Sequence, residues 1–151
     1  MVTETLLAYI GCTKALSMWI HAAHHVSKGP GFSSDHELLY GKIYEAVSED
    51  VDGLIEKSIM ICGSERCACP IEISTIACQI LKKYETPVEK SSDDIALIAR
   101  DFMGEHIQNL THLFSILQEN EALSLGMDDY LAASANDYEK YYYFLNQRCK
   151  E

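Results

Sequence analysis

Two histidines and two carboxylates are the residues of this chain whose types and spacing favour metal chemistry. His24 and His36 lie twelve residues apart, on either side of a Gly-Pro-Gly turn. Asp52 and Glu56 lie four residues apart in a segment predicted to be helical, so both point to one side of that helix. Imidazole nitrogens and carboxylate oxygens suit iron and similar divalent cations. The sequence therefore predicts a mixed nitrogen and oxygen metal site.

Four long helices and one short helix are predicted to position these residues. Apolar residues recur at steps of three and four along the chain, which is the period of an amphipathic helix. The inward stripes are predicted to include Ala8 in the first helix and Tyr142 in the last. No strand pattern, internal repeat or low-complexity tract is found. The predicted helices are 4–27, 34–62, 71–84, 93–120 and 127–148.

Helix ends are predicted from residues that stop or cap a helix. Ser34, followed three residues later by Glu37, has the spacing of an N-terminal capping box. Gly63 is predicted to cap the C-terminus of the second helix, because glycine adopts the left-handed conformation easily. Leu125 and Gly126 are predicted to form the turn before the last helix.

The connections between the helices indicate how the bundle is wired. A helix of about 26 residues is roughly 39 Å long. The predicted helix ends leave a connection of about 29 residues between the second and third long helices. It can therefore travel the length of the bundle, and it carries the short helix on the way. The prediction is an all-α, single domain over 1–151, a ferritin-like four-helix bundle with a short extra helix in that connection.

Composition excludes several classes of partner. The net charge of −11 opposes binding to DNA phosphates and to anionic membrane surfaces. No signal peptide and no membrane span are evident. Six cysteines in a chain without an export signal are predicted to be reduced thiols. These features together predict a cytoplasmic protein.

Three segments of the sequence carry a resemblance to a known family. The first comprises His24, Lys28-Gly29-Pro30, Phe32 and His36; the second is 44–56, with Tyr44 at its start and Asp52 and Glu56 near its end; the third is 139–145. With these residues in this order, the chain resembles the Dps family of mini-ferritins. The resemblance spans most of the chain and is densest over 24–57.

The resemblance implies a site shared between two subunits. In the family, two histidines from one chain face an Asp and a Glu from a mate related by a two-fold axis. Carried over to this sequence, His24 and His36 would face Asp52 and Glu56 of the mate. Family members oxidise ferrous iron at this site, usually with peroxide, and store the ferric product in a twelve-subunit shell. The resemblance thus implies iron as Fe2+ and Fe3+, ferroxidase activity and a dodecamer built from two-fold dimers.

One departure from the family pattern concerns helix register. The distance from His36 to Asp52 is one residue longer than in the family. An extra residue inside a helix rotates everything after it by about 100° unless a π-bulge absorbs the residue. The match is kept at Leu39 and at Ile43, so a local deformation is predicted between them, near Gly41.

Two further departures concern possible ligands. The family has an acid on the second helix at the position that Tyr40 occupies here. The aromatic residue that follows the first histidine in the family is His25 here, which is predicted to be an extra ligand or a replacement for one. The chain also has no lysine-rich tail, so the DNA binding that is common in the family is not expected.

Three functions remain open from the sequence. The first is the inter-subunit ferroxidase. The second is a ferritin-like shell or interaction protein whose shifted register has cost it the iron site. The third is a thiol-dependent metal or redox protein built on Cys62, Cys67 and Cys69. An intrasubunit di-iron centre is disfavoured, because no Glu is followed three residues later by a His; His106 is predicted to be a satisfied core histidine.

Overall fold

A computed structural model describes residues 1–150, and this part of the chain contains helices and no strand. The second long helix has two parts, a π-helical segment and an α-helix that continues it. A short 3-10 turn, Glu65–Ala68, follows. The α-helices are α1 (Val2–Val26), α2 (Gly41–Cys62, directly after the π-helical segment Ser34–Tyr40), α3 (Pro70–Leu81), α4 (Ser92–Glu119) and α5 (Leu125–Arg148). None of these helices is both long enough and apolar enough to cross a lipid bilayer.

The four long helices form the bundle, and α3 lies in the connection between α2 and α4, packed against α1. Gly11 allows this close packing. A Cβ atom at Gly11 would lie 2.3 Å from Cγ2 of Ile76 in α3, far inside van der Waals contact. The predicted fold, a four-helix bundle with an extra helix in its long connection, is confirmed.

The core is apolar and continuous through the bundle, with contributions from all five α-helices. Two of the predicted inward positions are wrong. Ala8 is exposed because its neighbours Leu7 and Tyr9 take the buried face of α1. Tyr142 is exposed because Tyr141 points inward at that turn of α5. In both cases the helix phase differs from the prediction by one residue.

Serine side chains start the two C-terminal long helices. The hydroxyl of Ser91 accepts a hydrogen bond from the main-chain N–H of Asp94 at 3.1 Å. The hydroxyl of Ser124 accepts one from the N–H of Met127 at 3.1 Å. The predicted turn at Leu125 and Gly126 is therefore wrong: both residues already belong to the first turn of α5, because Ser124 is the cap.

The second long helix also begins earlier than predicted. Its first helical residues are Phe32 and Ser33, and the N–H of Asp35 bonds to the carbonyl of Gly31 at 3.0 Å. Ser34 is thus inside the helix, and no side chain caps this end. The capping box predicted at Ser34 and Glu37 is wrong for this reason. The predicted C-terminal cap at Gly63 is confirmed, with φ of 67°.

The register deformation predicted from the extra residue is present as a π-helix. The N–H of Gly41 bonds to the carbonyl of His36, five residues back, which is the π pattern. The deformation covers Ser34–Tyr40, slightly before the predicted position, and regular α-helix resumes at Gly41. One extra residue is therefore accommodated before α2 reaches Asp52.

Candidate metal site

His24 and His36 come together where the end of α1 meets the π-helical segment. Their rings stack with centroids 3.8 Å apart and an interplanar angle of 16°. His24 lies in the last turn of α1 and His36 in the first turn of the following helix, so the turn between them folds the second histidine onto the first. The predicted pair is thus in direct contact within one chain.

Reciprocal hydrogen bonds fix both rings. Nδ1 of His24 lies 2.7 Å from the main-chain oxygen of His36, and Nδ1 of His36 lies 2.8 Å from the main-chain oxygen of His24. A carbonyl oxygen only accepts, so each Nδ1 carries the proton and donates. In a neutral imidazole the other nitrogen, Nε2, then holds the free lone pair. This is the arrangement by which metal-binding histidines are usually oriented.

A shallow pocket of about 280 Å³ opens beside the histidine pair, lined by His24, Gly41 and polar residues of α1 and α2. The carboxylate of Glu37 lies 3.3 Å from Nε2 of His36. Phe32 also stacks on that histidine, with centroids 4.9 Å apart. Glu37 was not predicted as a site residue; its only signal in the sequence is that it directly follows His36.

A buried ion pair holds the π-helical segment in place. Asp35 is 3% exposed. Arg148, in the last turn of α5, donates from Nε to Oδ1 of Asp35 at 3.1 Å and from Nη2 to Oδ2 at 3.2 Å. Hydrogen bonds to Asp35 and Asp93 raise the pKa of Arg148, so its charge is permanent. The segment that carries His36 is therefore attached to the far end of the chain.

Gly41 leaves the space that the π-turn needs. A Cβ atom there would lie 2.8 Å from the main-chain oxygen of His36 and 3.3 Å from Nδ1 of His24. Both are the atoms that orient the histidine pair. A glycine is required at this position by the packing of the site rather than by its φ angle, which is helical.

His25 contacts both the stacked pair and another histidine. Its ring meets that of His24 edge-on, with centroids 5.2 Å apart. Its Nε2 lies 3.0 Å from Nε2 of His21, one turn earlier on α1. His21 in turn stacks on Tyr44, with centroids 4.0 Å apart. Desolvation and the neighbouring His25 lower the pKa of His21, so that it is neutral near pH 7. His25 therefore lies between the stacked pair and His21, and its role as an extra ligand stays a prediction.

Asp52 and Glu56 share an exposed face of α2, as predicted, and are apart from the histidines of the same chain. Within residues 1–150 neither carboxylate forms a hydrogen bond or ion pair. No group of three or more His, Cys, Asp or Glu side chains in that range has the arrangement of a metal site. One chain thus brings two of the four predicted ligands together and leaves two on a separate surface.

Tyr40 occupies a buried position next to the site and supplies no carboxylate. It is 1% exposed, and its hydroxyl has no partner among the described residues. Burial and the nearby Asp35 raise its pKa, so the hydroxyl stays protonated. An acid at this place would have to be buried beside Asp35, which the tyrosine avoids.

A second polar group lies at the centre of the bundle. His106 is fully buried, as predicted, and Nε2 lies 3.3 Å from the hydroxyl of Tyr9. Tyr138 meets the ring edge-on and donates a hydrogen bond to Asp50. The prediction that His106 is satisfied is wrong for one atom: its Nδ1 has no partner among the described residues.

Comparison with solved structures identifies the fold. The structure is similar to the "Crystal structure of a Dps protein from Bacillus brevis", with a TM-score of 0.82 and 20% sequence identity. The match covers 99% of this chain and 95% of the other. No protein-family model and no curated protein matches the sequence. The chain therefore has a Dps-like, ferritin-like fold.

Proposed function

We propose that this protein binds ferrous iron between two of its subunits and oxidises it, with storage of the ferric product inside a closed homo-oligomeric shell. One observation carries the proposal. The stacked rings of His24 and His36 each donate Nδ1–H to the other's main-chain oxygen, which leaves the Nε2 lone pair of each ring for a cation.

The site needs a second copy of the chain because one copy supplies too few ligands. Two nitrogens do not complete the coordination of a ferrous ion. Asp52 and Glu56 lie on an exposed helix face and have no partner within residues 1–150. A two-fold axis can place the histidines of each copy against the carboxylates of the other copy, so two equivalent sites form at once. We propose a two-fold dimer, and a dodecamer assembled from such dimers, because the fold is Dps-like.

Iron is the substrate of this reaction. The neutral imidazoles and the ionised carboxylates would hold ferrous ions, and the oxidant, peroxide or dioxygen, would accept their electrons. Peroxide takes two electrons and is reduced to water, so one molecule can oxidise two ferrous ions. The net charge of −11 per chain favours entry of cations into the shell.

The net charge of −11 also supports the proposal that the protein does not bind DNA, because nucleic-acid binding needs a positive surface. All six cysteines are free thiols, which supports a reducing compartment. We therefore place the protein in the cytoplasm.

The test is an anaerobic titration of the purified protein with ferrous iron, followed by addition of peroxide and measurement of near-ultraviolet absorbance. We expect saturable binding near one or two irons per subunit, because each site would have two histidines and two carboxylates as ligands. Rapid formation of a soluble ferric product should follow. Asp52→Ala with Glu56→Ala should abolish both. The matched control, Asp129→Ala with Glu139→Ala, removes two exposed acids of α5 and the same charge, and should change neither.

The two-subunit arrangement has a separate test. A variant with His24→Ala and His36→Ala, and a variant with Asp52→Ala and Glu56→Ala, should each be inactive. When the two are unfolded, mixed in equal amounts and refolded, half of the dimers are mixed, and each mixed dimer holds one intact site. About a quarter of the wild-type activity should therefore return. Activity that stays at zero in assembled mixtures would contradict a site shared across the two-fold axis.

The alternative is a ferritin-like shell or interaction protein without ferroxidase activity. It is favoured by Tyr40, which places a buried hydroxyl where the resemblance leads one to expect an acid. In that case iron would oxidise at the rate of the buffer alone, and removal of Asp52 and Glu56 would leave the protein's properties unchanged.

A further inference from the structure

Two thiols meet where α2 ends. Sγ of Cys62 lies 3.6 Å from Sγ of Cys67. Gly63, with φ of 67°, ends the helix and reverses the chain, and its N–H bonds to the carbonyl of Ile59 at 2.7 Å. The 3-10 turn Glu65–Ala68 then folds Cys67 back onto the last turn of α2. The contact is therefore a product of the backbone path, which brings the two sulfurs together.

The two thiols differ in exposure and acidity. Cys62 is partly exposed, whereas Cys67 is fully buried in the core. Desolvation pushes the pKa of Cys62 up, but hydrogen bonding with the main chain at Ser64, with Thr3 and with Cys67 outweighs it, so that the pKa is lowered. Burial, followed by the hydrogen bond with Cys62, raises the pKa of Cys67 to about 12. Cys62 is the thiol that solvent can reach and that ionises first.

We propose that Cys62 and Cys67 form a reactive dithiol that hydrogen peroxide converts to an intramolecular disulfide, with Cys62 as the attacking sulfur and Cys67 as the resolving one. The proposal is independent of iron, and its tests use iron-free protein.

The reaction balances with peroxide as the only oxidant. The Cys62 thiol first loses its proton to solvent, and the thiolate attacks one peroxide oxygen; an S–O bond forms, the O–O bond breaks, and the hydroxide that leaves combines with that proton to give water. The Cys67 thiol then attacks the sulfenic sulfur; the S–S bond forms, the S–O bond breaks, and the Cys67 proton leaves with the hydroxyl group as water. Two thiols lose two electrons in total, and one peroxide becomes two waters.

The geometry needs a small movement to complete the bond. The sulfurs must approach from 3.6 Å to about 2.05 Å. The turn that carries Cys67 is held by Arg66, whose guanidinium bonds to Glu4 of α1 and to Glu72 of α3, each at 2.7 Å. A disulfide would add a covalent link from α2 to this junction of three elements.

The test is oxidation of iron-free, chelator-treated protein with a small excess of hydrogen peroxide, followed by alkylation of free thiols, trypsin digestion and mass spectrometry. Cleavage after Lys57, Arg66 and Lys82 places Cys62 in peptide 58–66 and Cys67 in peptide 67–82. We expect these two peptides to be joined, with fragmentation assigning the link to Cys67. Two of the six thiols should be lost to titration, and dithiothreitol should restore both.

Three variants assign the roles. Cys62→Ser should abolish the link and the loss of thiols, whereas Cys69→Ser, two residues beyond Cys67, should leave both unchanged. Cys67→Ala should accumulate a sulfenic acid at Cys62 that dimedone traps. If Cys67→Ala fails to fold, as circular dichroism would show, the Cys62→Ser and Cys69→Ser pair still decides. The proposal is overturned if peptides 58–66 and 67–82 are never joined, or if Cys62→Ser loses two thiols at the wild-type rate.

Discussion

The chain contains two histidine groups with opposite surroundings, the stacked pair His24 and His36 at the edge of the bundle and the single His106 at its centre. Both rings are bound to main-chain oxygens through Nδ1, and His24 lines a pocket. His106 is enclosed on all sides and meets a tyrosine hydroxyl. Histidine side chains therefore occupy two different environments in this molecule, one at the surface of the bundle and one in its core.

The central group is where an intrasubunit metal centre of a four-helix bundle would lie. Here each of the four long helices contributes one residue to it: Tyr9 from α1, Asp50 from α2, His106 from α4 and Tyr138 from α5. Burial lowers the pKa of His106 to about 3, so the ring is neutral at physiological pH. Aromatic rings fill the space around it, and only one carboxylate is present. The group reads as a packed core with polar members.

The edge group differs in what each ring nitrogen does. A histidine whose Nδ1 donates to a main-chain oxygen is oriented so that Nε2 can act as a metal ligand. A histidine with both nitrogens enclosed has no route for a cation. The comparison therefore predicts that removal of the edge histidines affects iron chemistry, while removal of the central histidine affects stability.

The largest effect expected from this comparison is on iron binding. His24→Ala or His36→Ala removes a direct ligand, so the affinity for ferrous iron should fall by more than about 100-fold, beyond what loss of a supporting residue costs. Anaerobic titration measures this. His112→Ala, which removes an exposed histidine of α4, is the matched control and should bind iron like the wild type. If His106→Gln abolished binding and His24→Ala did not, the assignment of the two groups would be reversed.

The second effect is on the pH dependence of stability. His106 accepts a proton in the unfolded chain near pH 6.5 but in the folded chain only near pH 3. Between these values the unfolded state binds more protons, so the stability that the neutral ring contributes above pH 6.5 is lost as the pH falls. Wild type should lose roughly 2 kcal/mol more than His106→Gln between pH 6.5 and 4.5.

Urea unfolding of the metal-free protein at several pH values, followed by circular dichroism, measures this difference. The comparison with His106→Gln cancels the titration of the carboxylates and of the exposed histidines. Parallel pH profiles for the two proteins would mean that the buried ring takes up its proton as easily as a free one.

The sequence predicted the bundle well because its signals are local and repeated. Helical periodicity recurs through all four long helices, and the long connection fixes the wiring. The contact of His24 with His36 was within reach for the same reason, since both residues flank one turn. The sequence predicted which residues of a helix are buried less accurately than it predicted the helix itself. Ala8 and Tyr142 were predicted to be buried, but the adjacent Tyr9 and Tyr141 are buried instead, because adjacent residues are apolar or aromatic in both places.

Other features of the site depend on distant parts of the chain and left no sequence signal. The bond of Arg148 to Asp35 joins residues 113 positions apart. The unpartnered Nδ1 of His106 depends on which side chains of three other helices surround it. The π-helix is the exception, because the resemblance showed one extra residue between His36 and Asp52, and a glycine lies at the place where it had to be absorbed.

That π-helix yields the smallest predicted effect. Gly41→Ala should destabilise the protein by about 1–3 kcal/mol, the usual cost of added volume in a packed region, since the new Cβ would lie 2.8 Å from the main-chain oxygen of His36. Ferrous affinity should fall about 10-fold, as for other changes that disturb ligand orientation. Gly126→Ala is the matched control, because it adds the same methyl group to a helical glycine in open space. It should change neither quantity. Full stability and affinity in Gly41→Ala would mean that the reciprocal hydrogen bonds of the histidine pair do not need the space that this glycine leaves. The orientation of the two rings would then depend on the ion pair between Asp35 and Arg148.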